Sequence, residues 1–323
     1  MPSSPTIEYH KTRDFGRKLN ATVEFIKENF KPLFRVLLFI AGPPIILGSI
    51  LLSQIFDRFM SFTTLLSTGF TPGFDEFGQF ILPGIGSLIF LLIGGTALLA
   101  VMYDYMILYE KQGKEISVND VWQLTKKSFW QVLGRMILLS ILGLVAYVVL
   151  VLVIGLLAAA SPGLAIILGI PLGIGFIYVI IPVYLFFIIA AYERVDFGTA
   201  FGRSFKLIRG KWWSTFGLIF VAGLIQGIIS SVFMIPWYVI FILKSLHTTD
   251  PNTFSAPSAL MEVIGTFSFL LYSAVRYLLF CIPLIAVAFQ YFNLAELKES
   301  RGLMSKIDTF GATSNEEDEE EHY

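Results

Sequence analysis

The residue types that could carry out hydrolytic or redox chemistry are few and far apart in this sequence. The histidines are His10, His247 and His322, and the one cysteine, Cys281, lies within an apolar run. Hydrolysis would need a metal cluster or a nucleophile with its base, and three isolated histidines cannot form a helical ligand pair such as HExxH. A phosphate-binding P-loop is also absent from the sequence. We therefore predict a protein that is not an enzyme, with no catalytic residue, metal or cofactor.

Polar residues inside apolar segments are better candidates for a site, because a charge at the bilayer centre costs on the order of several kcal/mol. Arg276, Gln226 and Asp104 are such residues. At the helical rise per residue, Arg276 lies about 24 Å and Gln226 about 20 Å from the same membrane boundary, so the two can meet. Asp104 lies about 8 Å from that boundary, so direct pairing with Arg276 is not expected. These three residues form the predicted intramembrane polar site.

Two interpretations of Arg276 remain open. In one, its side chain extends toward the membrane surface or bonds to backbone groups that nearby prolines leave free. In the other, Arg276 lines a polar cavity that accepts an anionic head group or substrate.

The elements that must position these residues are membrane helices. Of the 323 residues, 55% are hydrophobic and 15% are charged, which leaves too little polar surface for a soluble globule of this size. A span needs about 20 mostly apolar residues. Six segments meet this test, at about 33–56, 81–109, 132–160, 164–192, 213–243 and 263–292. The predicted fold class is all-α, a six-helix membrane bundle.

The basic residues predict the orientation of these helices. The segments 1–32, 110–131, 193–211 and 293–323 together hold eighteen Lys and Arg, whereas the alternate connections hold two. Basic connections stay on the cytoplasmic side of a membrane. Both termini are therefore expected in the cytoplasm.

One basic amphipathic segment occurs three times. Residues 197–216 align without a gap with residues 15–34 and, in the positions of their large residues, with residues 118–137. Apolar residues at spacings of three and four fall on one helix face, which is typical of a helix that lies along a membrane surface. Each copy precedes two spans, so we predict three repeated hairpins, each introduced by a cytoplasmic interfacial helix.

The copy at 197–216 carries the predicted membrane anchors. These are Phe201, Phe205, Arg203, Lys206, Arg209, Lys211, Trp212 and Trp213. Basic side chains near an anionic leaflet favour binding by about 1 kcal/mol each, so anionic lipids are the expected partners. Because the adjoining spans are apolar, we expect contact with the membrane and not with nucleic acid, and protein partners are not identified by the sequence.

Three domains follow from this organisation. Residues 1–32 form a cytoplasmic segment with the first interfacial helix, residues 33–292 form the transmembrane domain, and residues 293–323 form a cytoplasmic tail. The acidic run at 316–321 repels itself and is expected to be disordered.

Glycines and prolines inside the spans suggest where helices approach or bend. Gly169 with Gly173, and Gly223 with Gly227, have the four-residue spacing that allows close helix contact. Prolines in several spans predict bends, since each removes a backbone hydrogen bond.

Six spans, short outer loops and the pattern FxxAFxxSFxLIRxxWW at 197–213 resemble a bacterial family of inner-membrane proteins. That family includes the membrane domain fused to some glycerophosphodiester phosphodiesterases and related uncharacterised integral membrane proteins. In the fused members, catalysis belongs to a separate soluble domain that has no counterpart here. The resemblance implies a bacterial inner-membrane location and this architecture, and it carries over no catalytic residue.

Two functions are compatible with these observations. The first is a non-enzymatic inner-membrane module that organises partner proteins or lipids, favoured by short outer loops and the lack of a catalytic site. The alternative is a transporter or lipid-translocating protein with a polar site around Arg276 and Gln226.

Overall fold

The computed structural model of the chain describes residues 7–67, 74–113, 116–249 and 258–300. Within these ranges the protein is helical and contains no strand. The helices are α1 (Phe15–Ile40), α2 (Gly42–Ser67), α3 (Phe74–Gln112), α4 (Val118–Ala160), α5 (Pro162–Tyr192), α6 (Phe197–Ile208), α7 (Trp212–Ser231), α8 (Ile235–Thr249), α9 (Ala259–Leu278) and α10 (Cys281–Glu299). The predicted disordered tail lies outside the described residues.

Five helical segments of the described chain are long and apolar enough to cross a membrane, and there are six if the two helices of one bent pair are counted as a single span. The five are Phe77–Gln112, Val118–Ala160, Pro162–Tyr192, Trp212–His247 and Ala259–Glu299. α4 alone has 43 residues, so at about 1.5 Å per residue it exceeds the ~30 Å hydrocarbon core of a bilayer. The all-α membrane architecture expected from the sequence is therefore present.

The first predicted span, residues 33–56, is not a single straight helix. α1 and the start of α2 meet at a bend of 61°. Pro43 and Pro44 explain the break, because a proline has no amide hydrogen and disfavours helical conformation in the residue before it. Both prolines lie in the first turn of α2, where a missing amide hydrogen breaks no helical bond.

Breaks also interrupt the fifth and sixth spans, each just before a proline. A short 3-10 turn, Val232–Met234, separates α7 from α8 ahead of Pro236, and a turn at 279–280 separates α9 from α10 ahead of Pro283. Side chains of the other span satisfy carbonyls at these breaks. Ser268 of α9 donates to the Phe233 carbonyl, and Gln226 of α7 donates to the Arg276 carbonyl at 2.7 Å. The two broken spans thus complete each other's backbone hydrogen bonding.

The three aligned amphipathic segments begin helices at equivalent positions. α1, α4 and α6 start at Phe15, Val118 and Phe197, each directly after a side-chain cap from Asp14, Ser117 or Asp196. Hydrogen bonds from Thr199 to the exposed Asp196 carboxylate lower the pKa of that carboxyl group.

Two of the three segments predicted as interfacial helices are parts of longer helices. α1 and α4 continue without a break into their apolar portions, and only α6 ends before its span begins. Gly210 explains the difference, because its φ of 79° is a left-handed conformation that glycine adopts readily. The aligned positions hold Glu28 and Gln131, which are good helix formers.

Equivalent aligned positions of the three copies face the interior of the protein. Lys18, Val121 and Ala200 are buried at one aligned position, and Thr22, Thr125 and Ser204 are buried at the next. Part of the large apolar stripe lies toward the outside. In α1, for example, the exposed fraction of Phe30 is 57%. Other large residues pack inward, since Phe25 of α1 and Ile208 of α6 are buried and Phe201 packs against the core. The amphipathic helices therefore bury small and polar residues against the bundle and expose only part of their large apolar residues.

The neighbours of these helices are also related. α1 contacts α3 and α10, α4 contacts α3 and α5, and α6 contacts α5 and α10. Each thus lies against two of the three helices that return toward the same end of the bundle. The arrangement of three equivalent hairpins remains a prediction.

α10 occupies the centre of the fold. Every residue at 281–295 is buried, and α10 contacts α1, α3, α5, α6 and α7. The helix continues to Glu299, beyond the predicted end of the last span at residue 292.

The outer half of the α4–α5 hairpin, which includes the connection between the two helices, projects away from the rest of the bundle. No residue at 137–180 is buried, whereas the returning part of α5 buries most of residues 181–190. We call residues 137–180 the α4–α5 arm. Its apolar surface is suited to contact with lipid tails.

Candidate functional site

A cavity of about 960 Å³ lies between α3, α4, α5, α7, α9 and α10. It begins where the α4–α5 arm leaves the bundle, at the level of Met136 and Tyr184. Most of its lining is apolar, and the polar exceptions include Gln226 and Arg276. We call this space the Arg276 cavity. Other lining residues are Gly95, Leu98, Leu99, Ile219, Phe220, Gly223, Leu224, Gly227, Ile228, Ser231, Tyr277, Phe280 and Pro283.

Gln226 and Arg276 meet, but not through the guanidinium group. The Gln226 amide donates to the backbone carbonyl of Arg276, which leaves the arginine side chain exposed in the cavity. The guanidinium carbon lies 5.9 Å from the centre of the Tyr272 ring. Among the described residues, no carboxylate lies within ion-pair distance of Arg276. Its guanidinium group is therefore available to a ligand.

The chemistry of this cavity suits an amphiphile that carries one negative charge. Ligand cavities are commonly apolar with a few fixed polar groups, and their volumes are about 300–1,000 Å³. A guanidinium group can bind a phosphate or carboxylate through two parallel hydrogen bonds. The surrounding Phe220 and Leu224 side chains, which are about half exposed, can contact an acyl chain.

Asp104 belongs to a different pocket from Arg276. Its carboxylate accepts a hydrogen bond of 2.6 Å from the Ser128 hydroxyl group. It lines a pocket of about 470 Å³ between α3, α4 and the end of α5. Leu99 lines both this pocket and the Arg276 cavity. The structure therefore brings Gln226 to Arg276 and places Asp104 with other partners.

Arg203, one of the predicted membrane anchors, turns toward the protein. It forms ion pairs with Glu193 at 2.5 Å and with Glu299 at 2.7 Å. Burial alone would lower the pKa of Arg203, but these two carboxylates raise it above its ordinary value. Its partners are separate in the sequence, so the amphipathic pattern did not reveal them.

The aromatic anchors pack in part against neighbouring helices. Phe201 contacts Phe186 of α5 with ring centres 6.5 Å apart. Within α6, it stacks on Phe197 at 6.0 Å and contacts Phe205 at 5.1 Å. Trp212 donates to the Tyr178 carbonyl at 3.0 Å.

The other anchors remain on the outer surface. Trp213 is 77% exposed, and Lys206, Arg209 and Lys211 are exposed as well. The backbone carbonyls of Lys206 and Arg209 accept hydrogen bonds from Lys298 of α10. The segment thus joins α10 through its backbone while several of its side chains face outward.

Three tyrosine–glutamate hydrogen bonds, which sequence reasoning missed, join helices at the end of the bundle where α3, α5 and α10 finish. The pairs are Tyr109 with Glu28 at 3.2 Å, Tyr192 with Glu110 at 2.9 Å, and Tyr291 with Glu193 at 2.7 Å. The available signal was the Tyr-Glu dipeptide at 109–110 and at 192–193. In the last two pairs, the tyrosine of one returning helix binds the glutamate that directly follows the tyrosine of the preceding returning helix. Tyr192 binds Glu110, which follows Tyr109, and Tyr291 binds Glu193, which follows Tyr192.

Lys18 forms a second polar connection that sequence reasoning missed. Its ammonium group donates to Gln290 at 2.7 Å and to Ser214 at 3.1 Å, and Gln290 donates to Thr215 at 2.7 Å. These hydrogen bonds join α1, α7 and α10. A lysine on the small-residue face of an amphipathic helix was the available signal.

The segment of residues 7–13 packs against the same end of the bundle. Tyr9 is buried, stacks on Phe292 at 4.8 Å, and donates to the Met106 carbonyl at 3.2 Å. Burial raises the pKa of Tyr9 well above its ordinary value, so the phenol stays neutral. His10 lies 2.9 Å from the Tyr192 hydroxyl group.

No set of three or more His, Cys, Asp or Glu side chains in the described ranges is placed to hold a metal ion. Neither of the two pockets just described is lined by a histidine or a cysteine. The two pockets present charged side chains and apolar surface.

These helices and cavities define a multi-pass helical membrane protein with a mostly apolar cavity that Arg276 lines. The chain belongs to the family described as a domain of unknown function (DUF7847), whose family model matches residues 35–294. No curated protein and no solved structure matches the chain. The comparisons show no link to glycerophosphodiester phosphodiesterases.

Proposed function

We propose that this protein binds an anionic amphiphile within the membrane, as a lipid-binding or lipid-translocating protein. The observation that carries the proposal is the Arg276 guanidinium, which is exposed in an otherwise mostly apolar cavity. Keeping a charge at this depth is unfavourable unless a partner offsets it. An anionic head group supplies that partner, and its acyl chain replaces lipid contacts along α7.

Several features support a particular orientation of the chain, a particular membrane and a repeated arrangement of hairpins for this activity. Eighteen basic residues in the connections on one side support cytoplasmic termini, and the sequence resemblance supports the bacterial inner membrane. The equivalent starts of α1, α4 and α6 support three hairpins derived from one repeated unit. In this proposal, the outward rings and basic groups of 197–216 contact anionic lipids at the cytoplasmic surface.

A membrane module that organises partner proteins is the second candidate function. The α4–α5 arm favours it, because this long apolar surface has no buried residue of its own. Purification in mild detergent tests this role, since a stoichiometric protein partner would co-purify. Loss of that partner when surface residues of the arm become polar would assign the contact to the arm.

The lipid-binding proposal is tested by replacing Arg276→Leu. The protein is reconstituted into nanodiscs of phosphatidylglycerol and phosphatidylcholine, extracted into mild detergent, and examined by native mass spectrometry for retained lipid. A hydrogen bond to a charged group contributes about 1.5–3 kcal/mol, so we expect retained phosphatidylglycerol to fall by about tenfold or more. Arg276→Lys keeps the charge but loses the paired geometry and should retain an intermediate amount.

Arg35→Leu provides the matched control. Arg35 is also an exposed arginine in a helix, and it lines neither the Arg276 cavity nor the pocket of Asp104. Lipid retention in this variant should equal that of the wild type. Equal retention in all variants, with normal membrane insertion, would show that Arg276 does not bind lipid.

A further inference from the structure

The pocket of Asp104 contains an unusual group of basic side chains. Lys127 and Arg135 project from α4, and Arg194 lies in the connection between α5 and α6. Opposite them stands one carboxylate, Asp104, on α3. Three cations and one anion leave this pocket with a surplus of positive charge. We call it the basic pocket.

The contacts of these cations leave most of their donors free. Arg135 donates to the Val195 carbonyl at 2.8 Å, and the rest of its guanidinium group remains available. Lys127 and Arg194 are exposed, and neither forms an ion pair with a carboxylate in the part of the chain that the structure describes. The charge of Arg194 acts on Asp104, whose carboxylate also holds the Ser128 hydroxyl.

One of the residues that line the pocket has an unpaired hydroxyl group. Tyr103 is 2% exposed, and its hydroxyl oxygen has no hydrogen-bond partner among the residues described. A buried polar group without a partner costs about 1–3 kcal/mol. An acceptor in the pocket could satisfy this donor after a small side-chain movement.

Arg194 adopts an uncommon backbone conformation at this place. Its φ is 53°, in the left-handed region that non-glycine residues seldom occupy. This conformation follows directly after α5 and directs the chain toward α6. An arginine is not required for the turn, since glycine would fit it with less strain.

From this geometry we propose that the basic pocket binds a phosphate group. Lys127, Arg135 and Arg194 hold its oxygens, and the Tyr103 hydroxyl group is a further donor beside them. The pocket volume of about 470 Å³ accommodates a phosphate together with a small polar substituent. The phosphate can belong to a lipid head group or to a soluble molecule, and the two sources share the same binding chemistry. This site is separate from the Arg276 cavity and does not depend on the proposed function.

Two neighbouring lysines allow a closely matched test. Lys127 lines the basic pocket, whereas Lys126 lies with its ammonium group 5.0 Å from the Trp122 ring centre and outside the pocket. We expect Lys127→Gln to weaken phosphate binding by about tenfold and Lys126→Gln to leave it unchanged. Arg194→Gly should weaken binding similarly without loss of thermal stability, because the substitution suits the positive φ.

Binding is measured in two arms with the full chain. In the first, inorganic phosphate is titrated by calorimetry into protein in uncharged detergent. In the second, nanodiscs of phosphatidylglycerol or of an uncharged glycolipid are compared by native mass spectrometry for retained lipid. Binding in the first arm that is weakened by Lys127→Gln and Arg194→Gly identifies a soluble phosphate source. The same pattern in the second arm alone identifies a lipid head group.

Other outcomes overturn the inference. These are absence of binding in both arms, an equal effect of Lys126→Gln and Lys127→Gln, and binding that is lost only with Arg276→Leu. The last result would place the anion in the Arg276 cavity. Failure of the lipid test at Arg276 alone would leave the basic pocket supported, so the two proposals fail separately.

Discussion

Gln226 and Arg276 have separate roles at the α9 break. The Gln226 side chain satisfies a backbone carbonyl, and the Arg276 side chain carries a charge into the cavity. The Gln226 amide satisfies the carbonyl at the α9 break, so the Arg276 side chain does not need to do so. Gln226 thus bonds to a backbone carbonyl at the break, a role that one interpretation gave to Arg276, while extension of the Arg276 side chain toward the membrane surface stays a prediction. This division explains why a strongly polar side chain remains exposed in the cavity.

Two tyrosines on α3 give a residue-level prediction about stability. Tyr103 and Tyr105 are both buried, but only Tyr105 has a described hydrogen bond, to Asn29 at 2.9 Å. Tyr105→Phe leaves the Asn29 oxygen without that donor and should lower the unfolding free energy by about 1–3 kcal/mol. Tyr103→Phe should leave it unchanged or raise it. Reversible unfolding in detergent, followed by circular dichroism, measures both values.

The comparison of the two variants controls for loss of a hydroxyl group from the same helix. A destabilisation by Tyr103→Phe as large as that by Tyr105→Phe would mean that the Tyr103 hydroxyl has a partner in the free protein. The basic pocket would then lose one of its supporting observations.

At the scale of elements, close helix approach occurs at other glycines than those the sequence suggested. A Cβ atom at Gly173 or Gly223 would meet nothing within 4 Å, and one at Gly169 would make only ordinary contacts. α2 and α3 approach closely instead, at Gly48 and Gly94. The spacing rule failed because a small-residue pair marks a contact only where another helix lies against it.

Gly94 and Gly134 provide the corresponding prediction. A Cβ atom at Gly94 would lie 2.6 Å from a side-chain carbon and 3.1 Å from the amide nitrogen of Ile45. Gly94→Ala should therefore destabilise the protein by about 1–3 kcal/mol. Gly134→Ala has open space and should stabilise α4 by up to about 1 kcal/mol. Thermal unfolding in detergent compares them, and equal midpoints for the two variants would contradict the α2–α3 contact.

Sequence reasoning succeeded where a local rule fixes the geometry. Counting residues placed Gln226 and Arg276 at similar depth because the rise of a helix is constant, and the aligned segments do begin helices at Phe15, Val118 and Phe197. It failed where distant residues decide. Arg203 binds Glu299, which is 96 residues away, and no local pattern reveals such a partner.

At the scale of the whole molecule, the α4–α5 arm makes the protein asymmetric. The other long helices bury a larger share of the residues in their most apolar stretch, whereas α4 and α5 bury almost none there. The Arg276 cavity begins where this arm departs. A ligand in the cavity is therefore bounded by the packed bundle and by the base of the arm.

The arm should move relative to the bundle while remaining internally rigid. In a Cys281→Ser background, spin labels at Leu156 and Ile167 should give a narrow distance distribution, since both lie in the arm. Labels at Leu156 and Ile228 should give a broader one, because they join the arm to α7. Double electron–electron resonance in nanodiscs measures both, and all of the labelled positions are exposed. Equal widths would show that the arm is fixed to the bundle.

The segment of residues 7–13 has a consequence for the order of biosynthesis. The Arg13 amide binds Asn293, which is 280 residues later, and Tyr9 stacks between rings that include Phe292. The binding place for this segment does not exist until α10 has been synthesised. At about 5–20 residues per second, the segment waits on the order of 15–55 s after it leaves the ribosome. Its docking on α10 is therefore a late step, which closes the bundle only after the last helix has entered it.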